Sequence, residues 1–96
     1  MCNLYASQEP KTYAHETRAI RLNGHCTSVR LEVAFWDILE EIAAAEGSTV
    51  ARFASTLHGE VAERRGEVGN FASLLRVACT VWLRREHARR REAAIA

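Results

Sequence analysis

Apolar and polar positions alternate along residues 18–31, and the alternation is interrupted once, by Asn23-Gly24. Asn-Gly between alternating segments is the strongest short hairpin signal, because a type I′ turn requires positive φ at both central residues. A two-residue turn fixes the register: Leu22 faces His25, Arg21 faces Cys26, Ile20 faces Thr27 and Ala19 faces Ser28. Successive strand side chains point to opposite faces. Ile20, Leu22, Thr27, Val29 and Leu31 then share one face, and Arg21, Cys26, Ser28 and Arg30 share the other. The register set by the turn and the register set by the hydrophobic pattern agree.

Beyond residue 32 the period changes from two to about 3.6. Phe35, Trp36, Leu39, Ile42 and Ala43 make one stripe and predict a helix over 33–46, stopped by Gly47. Ser48 or Thr49 caps a second helix over 49–65, whose stripe is Val50, Phe53, Ala54, Leu57 and Val61. Asn70 caps a third over 71–90, with Phe71, Leu74, Leu75, Ala78, Val81 and Trp82 inside. Residues 1–16 look irregular, an arm docked by Tyr5 and Tyr13 or left loose. The segment 84–96 is basic and rich in helix formers. The expected division is an arm over 1–16, a core domain with its third helix over 17–83, and a basic helical tail over 84–96. A two-stranded hairpin is unstable alone and has two open edges, so pairing with a second chain is the economical completion.

Composition narrows the function classes. The chain has 96 residues, 48% apolar and 26% charged, enough for one small domain. Chains of this length gain most from burying further surface in an oligomer. No apolar run approaches a membrane span, and the start of the chain lacks the features of a secretory signal. Cys2, Cys26 and Cys79 are odd in number and widely spaced, which argues against a disulfide framework or a zinc site and for a reducing, cytoplasmic setting. His15, His25, His58 and His87 are scattered, and adjacent His25 and Cys26 point to opposite faces, so no metal is expected. A cysteine behind Met1 invites a nucleophile reading of Cys2, as in some amidotransferases. Those domains are far larger, and no glycine-rich continuation follows. No P-loop, GxGxxG or Ser/His/Asp set is present. The expectation is a non-enzyme without cofactor.

The net charge of +1 hides segregation. Residues 1–31 carry four basic and two acidic side chains, 32–46 five acidic and no basic, 47–70 three of each, and 71–96 six basic and two acidic. A near-neutral total therefore leaves room for a basic surface that meets nucleic acid.

Two stretches carry a resemblance. Thr27-Ser28-Val29-Arg30-Leu31-Glu32 before Phe35-Trp36, and then Glu46-Gly47-Ser48-Thr49-Val50, resemble the ribbon-helix-helix fold of bacterial repressors and antitoxins. Over about residues 17–83, with Thr17-Arg18, Arg21-Leu22-x-Gly24 and Asn70-Phe71-Ala72-Ser73-Leu74-Leu75-Arg76-Val77, the chain is similar to a family of short bacterial ribbon-helix-helix-like proteins. The resemblance implies a mainly α fold with a short β-hairpin and a third C-terminal helix. It implies a homodimer built on an intersubunit antiparallel ribbon, which enters the major groove of double-stranded DNA as part of a transcriptional regulator. Base readers would be Cys26, Ser28 and Arg30. The start of the second helix, at Ser48, Thr49 and Val50, would hold a backbone phosphate, and the dimer core would include Val29, Leu31, Phe35, Trp36, Leu39, Phe53 and Leu57. The chemistry is sound on its own terms. The major groove admits a two-stranded ribbon, arginine offers a bidentate fork to guanine, and serine serves several bases.

The hairpin is a departure from the family pattern. It places Arg18–Leu22 beside the reading strand, so a dimer would have four adjacent strands, wider at about 4.8 Å per gap than the roughly 12 Å groove. The first strand either bends away, or meets flanking phosphates through Arg18 and Arg21, or DNA binding has been abandoned. The rival expectation is a dimeric protein-interaction module, partner-binding or antitoxin-like, which the acidic 32–46 segment favours. A redox or metal sensor using Cys26 near the dyad is a third. The Arg84–Arg91 cluster is either a solvated helix end or a second backbone contact, and Ser48-Thr49 is in either case a helix cap.

Overall fold

The computed structural model describes residues 2–95. The side chain of Cys2, weighed above as a nucleophile, lies outside that description. The arm is a short helix, α1 (Cys2–Ala6), followed by a 3-10 turn over Pro10–Tyr13. Strands β1 (His15–Leu22) and β2 (His25–Glu32) come next, then α2 (Val33–Ala45), α3 (Val50–Arg65) and α4 (Phe71–Ile95).

The hairpin has the register read from the turn, from Leu22 opposite His25 through Ala19 opposite Ser28 and on to His15 opposite Glu32. Asn23 and Gly24 both adopt positive φ, 50° and 82°, as a type I′ turn demands. Ile20, Leu22, Val29 and Leu31 are buried on the inner face. β1 begins three residues earlier than the alternation indicates, at His15, because the arm is tied down there: Val33 N–H donates to Ala14 O at 2.8 Å. That bond satisfies one of the unpaired donors at the start of α2. Tyr5 and Tyr13 are exposed and do not dock the arm.

β2 runs into α2 without a loop. α2 ends in a Schellman arrangement around Gly47, φ 64°. Ser48 N–H donates to Ala43 O at 2.8 Å and Gly47 N–H to Ala44 O at 3.1 Å. Of the two candidate caps for α3, Thr49 takes the role, its hydroxyl accepting from Arg52 N–H at 3.1 Å. Asn70 caps α4 through Oδ1, which accepts from Ser73 N–H at 3.1 Å.

All three long helices cover the hairpin's inner face. α3 lies on β1, and α4 lies on β2 and α2. The core joins Ile20, Leu22, Val29 and Leu31 to Trp36, Leu39, Ile42 and Ala43 of α2, Val50 and Ala54 of α3, and Leu75 and Cys79 of α4. Phe35, Phe53, Leu57, Phe71 and Trp82 pack against it half-buried. Two further elements depart from their sequence readings: the arm, expected to be irregular, forms α1 and the 3-10 turn, and α4 turns a different face inward. On α4, Val81 is exposed and Cys79 takes the core position, its thiol 3.7 Å from Phe35 O. The parallel run of α4 along α2 selects the Leu75–Cys79 face. The helix also continues unbroken to Ile95. Among the described residues no helix is long and apolar enough to cross a membrane.

Candidate nucleic-acid interface

Pleating puts Thr17, Ala19 and Arg21 of β1 on the outward face with Cys26, Ser28 and Arg30 of β2, and all six are exposed. The pairs across the hairpin are Thr17 with Arg30, Ala19 with Ser28 and Arg21 with Cys26. Neither Arg21 nor Arg30 forms an ion pair among the described residues. The far end of this face holds a carboxylate, Glu32, with His15 opposite. Arg76 of α4 donates through Nε to Glu32 Oε1 at 3.0 Å, and His15 Nε2 lies 3.7 Å from Oε2. The Glu32 backbone N–H and the Arg76 guanidinium hold that carboxyl below the usual glutamate range. Its charge is thus answered locally, and the six central positions carry only positive charge. The second edge of β2, away from β1, pairs with no strand among the described residues.

The remaining expected phosphate contacts are distributed unevenly. Arg18 is turned into the body, because its cross-strand partner is the buried Val29. Its Nε donates to Glu16 Oε2 at 2.6 Å and its NH1 to Glu40 Oε2 at 2.9 Å, and the guanidinium carbon lies 4.6 Å from the centre of the Trp36 ring. Those bonds engage the charge and remove Arg18 from the outward face. Period-two alternation alone separates Arg18 from Arg21, so the signal was present in the sequence. Thr49 faces solvent at the start of α3, Val50 has its side chain in the core, and Ser48 Oγ is buried without a hydrogen-bond partner.

Of the residues expected in a dimer core, Val29, Leu31, Trp36 and Leu39 are already buried within one chain, while Phe35, Phe53 and Leu57 are half-buried. Phe53 and Leu57 line an apolar groove with Ile42, Leu74, Val77 and Val81. Val77 and Val81 are more than half exposed on its wall.

The basic run of α4 points away from the ribbon. Arg76 meets Glu32 at the ribbon end of α2, whereas Arg85 and Arg89 lie beside Glu46 at the other end. At 1.5 Å per residue, Arg90 is about 21 Å along the helix from Arg76. Cys26 is exposed, and Cys79 is buried, which pushes its thiol up to about 11. Among the described residues no group of three or more His, Cys, Asp or Glu is placed to hold a metal ion.

Comparison with known proteins gives the same architecture a family. The chain is similar over its length to a solved structure, that of an uncharacterized protein from Bordetella pertussis Tohama I, with TM-score 0.89 and 41% identity, over 94% of this chain and 72% of that one. No curated protein sequence matches. The model of the ribbon-helix-helix domain matches residues 15–83. With the hairpin, α2 and α3 in that order inside the matched stretch, the chain belongs to the ribbon-helix-helix domain family.

Proposed function

We propose that this protein is a homodimeric, sequence-specific DNA-binding regulator. Two copies of β2 pair antiparallel through their free edges, and the shared ribbon enters the major groove. Ser28 and Arg30 of each copy meet base edges, with Cys26 beside them. Thr49 and the first N–H groups of α3 face the backbone, where a helix start favours an anion. The observation that carries this reading is the outward face of the ribbon: exposed Arg21, Cys26, Ser28 and Arg30, unopposed by a free carboxylate, next to an open strand edge. An unpaired edge of eight residues is a template for another strand. A second copy satisfies it and sets the two arginine-bearing faces side by side.

Selection on random duplex DNA, with mass by light scattering, tests both parts. The expected result is a dimer that enriches a two-fold symmetric sequence, with binding that weakens steeply as salt rises. Arg30→Ala should lower affinity for the selected duplex by about 1–3 kcal/mol relative to a scrambled one. Equal loss on both duplexes removes Arg30 from the reading role.

A second reading is favoured by one feature, the exposed Val77 and Val81, four residues apart on one face of α4. On that reading the ribbon serves dimerisation alone, and the helical face engages another protein. A stoichiometric protein partner, with no retention of duplex DNA at low salt, would select it.

A further inference from the structure

We propose that Arg76 of α4 is a positioning residue for Arg30: by holding the Glu32 carboxylate, it keeps that carboxylate off the arginine that meets base edges. The proposal rests on the DNA-binding reading above and adds the part played by the third long helix.

Arg30 and Glu32 are two residues apart on β2, so both lie on the outward face. Their Cα atoms are separated by about 6.6 Å, a gap that two long side chains of opposite charge can close. The neighbouring strand shows such a pair closed. On β1, Glu16 and Arg18 have the same spacing, and Arg18 Nε donates to Glu16 Oε2 at 2.6 Å. On β2 the equivalent pair is open, and Arg30 makes no ion pair among the described residues.

The difference lies in Glu32, both of whose oxygens are engaged from other elements. Arg76 Nε donates to Oε1 at 3.0 Å, and His15 Nε2 lies 3.7 Å from Oε2. Arg76 holds its side of the pair for a physical reason. Its neighbour Leu75 is fully buried, and Cys79, about one turn further on, places its thiol 3.7 Å from Phe35 O. α4 is therefore docked where Arg76 leaves it. Glu32 is fixed too, as the residue through which β2 passes into α2. The paired side chains are 33% and 29% exposed, whereas Arg30 stands in solvent. Less water around the charges strengthens their attraction, and a guanidinium carried by a docked helix loses little further freedom in pairing.

Without Arg76, the next guanidinium along the outward face from Glu32 is that of Arg30. The carboxylate then closes on it as Glu16 closes on Arg18. A pinned guanidinium must break that pair before its fork can meet guanine. An exposed ion pair shifts such an equilibrium by about 1.4- to 5-fold. A dimer carries two of them, so discrimination should fall by about 2- to 25-fold.

The experiment measures the ratio of affinities for the selected duplex and a scrambled one. The ratio cancels the loss of one positive charge, which weakens binding to both duplexes alike. Arg76→Gln should lower the ratio by the factor above. Arg76→Lys should keep it, since the contact is one N–H···O bond that an ammonium also makes. Glu32→Gln and the double variant Glu32→Gln/Arg76→Gln should both keep the wild-type ratio, because no carboxylate is left to capture Arg30. Adding Arg76→Gln to Arg30→Ala should change nothing further. In side-chain nitrogen spectra without DNA, the Nε–H of Arg76 should be protected from solvent exchange in wild type, and that of Arg30 should gain protection in Arg76→Gln. If wild type discriminates and Arg76→Gln keeps its ratio, the proposal is refuted and the DNA reading stands. A double variant with a lowered ratio would mean that Arg76 acts by docking α4, and it refutes the proposal. A further loss on the Arg30→Ala background, or an unprotected Arg30 in Arg76→Gln, refutes it as well. Failure of wild type to bind either duplex at low salt overturns the DNA reading and this proposal with it.

Discussion

Replacing Trp36 with phenylalanine probes the joint that fastens β1 to the body. Trp36 is fully buried, and the substitution removes one hydrogen bond, weakens one stacking contact and opens a void. The indole N–H donates to Glu16 O at 2.8 Å, a bond worth about 1 kcal/mol net. The Arg18 guanidinium stacks at 4.6 Å from the ring centre. Cation–π attraction of about 0.5–1 kcal/mol is strongest for tryptophan, and the lower end applies because the Arg18 side chain remains 34% exposed. The smaller ring also leaves a void in a site with no solvent access, which costs about 1–2 kcal/mol. The expected total is about 3 kcal/mol, a large share of the about 5–15 kcal/mol that holds a domain folded. Urea unfolding at one fixed protein concentration measures it, so that any self-association weighs equally on both proteins. A double-mutant cycle with Arg18→Met isolates the stacking: the two losses should fall short of additivity by about 0.5 kcal/mol. Amides of β1 should exchange faster in Trp36→Phe than those of β2, because the clamp grips Glu16 and Arg18 of β1 alone. A loss below about 1 kcal/mol, or strict additivity with Arg18→Met, would refute this account of the joint.

Two further predictions concern titrating groups. The lowered Glu32 carboxyl stabilises the folded chain at pH values above the ordinary glutamate range, and that contribution fades as pH falls through its depressed folded value. Glu32→Gln should therefore be less stable than wild type at about pH 7, and the gap should close as pH falls through the depressed carboxyl value in thermal unfolding; parallel curves would contradict the assignment. The Cys79 thiol, pushed up to about 11 by burial, should resist iodoacetamide at about pH 8 while exposed Cys26 reacts, as read by peptide mass spectrometry. Labelling of Cys79 at the rate of Cys26 in native buffer would show that the α2–α4 contact opens freely.

The hairpin, its register and its inward face were legible in residues 18–31, because a two-residue turn and a period of two are local rules that constrain each other. The helix boundaries around Gly47, Thr49 and Asn70 were legible for the same reason, since caps act within about four residues. Membership of the ribbon-helix-helix family followed from those same stretches. Direction within the helix bundle was not legible. The stripe on α4 admits either Val81 or Cys79 as an inward residue, and only the parallel course of α4 along α2 chose Cys79. The fates of the arginines were decided the same way. Arg18, Arg21, Arg52 and Arg76 are equivalent in composition, yet Glu16, Glu40 and Glu32 reach two of them and leave two free. Which charge is neutralised depends on distances between residues 2 to 44 positions apart in the chain. Sequence patterning fixes local geometry because its causes lie within a turn or two; electrostatic availability at the rim of the ribbon exists only once the helices have packed.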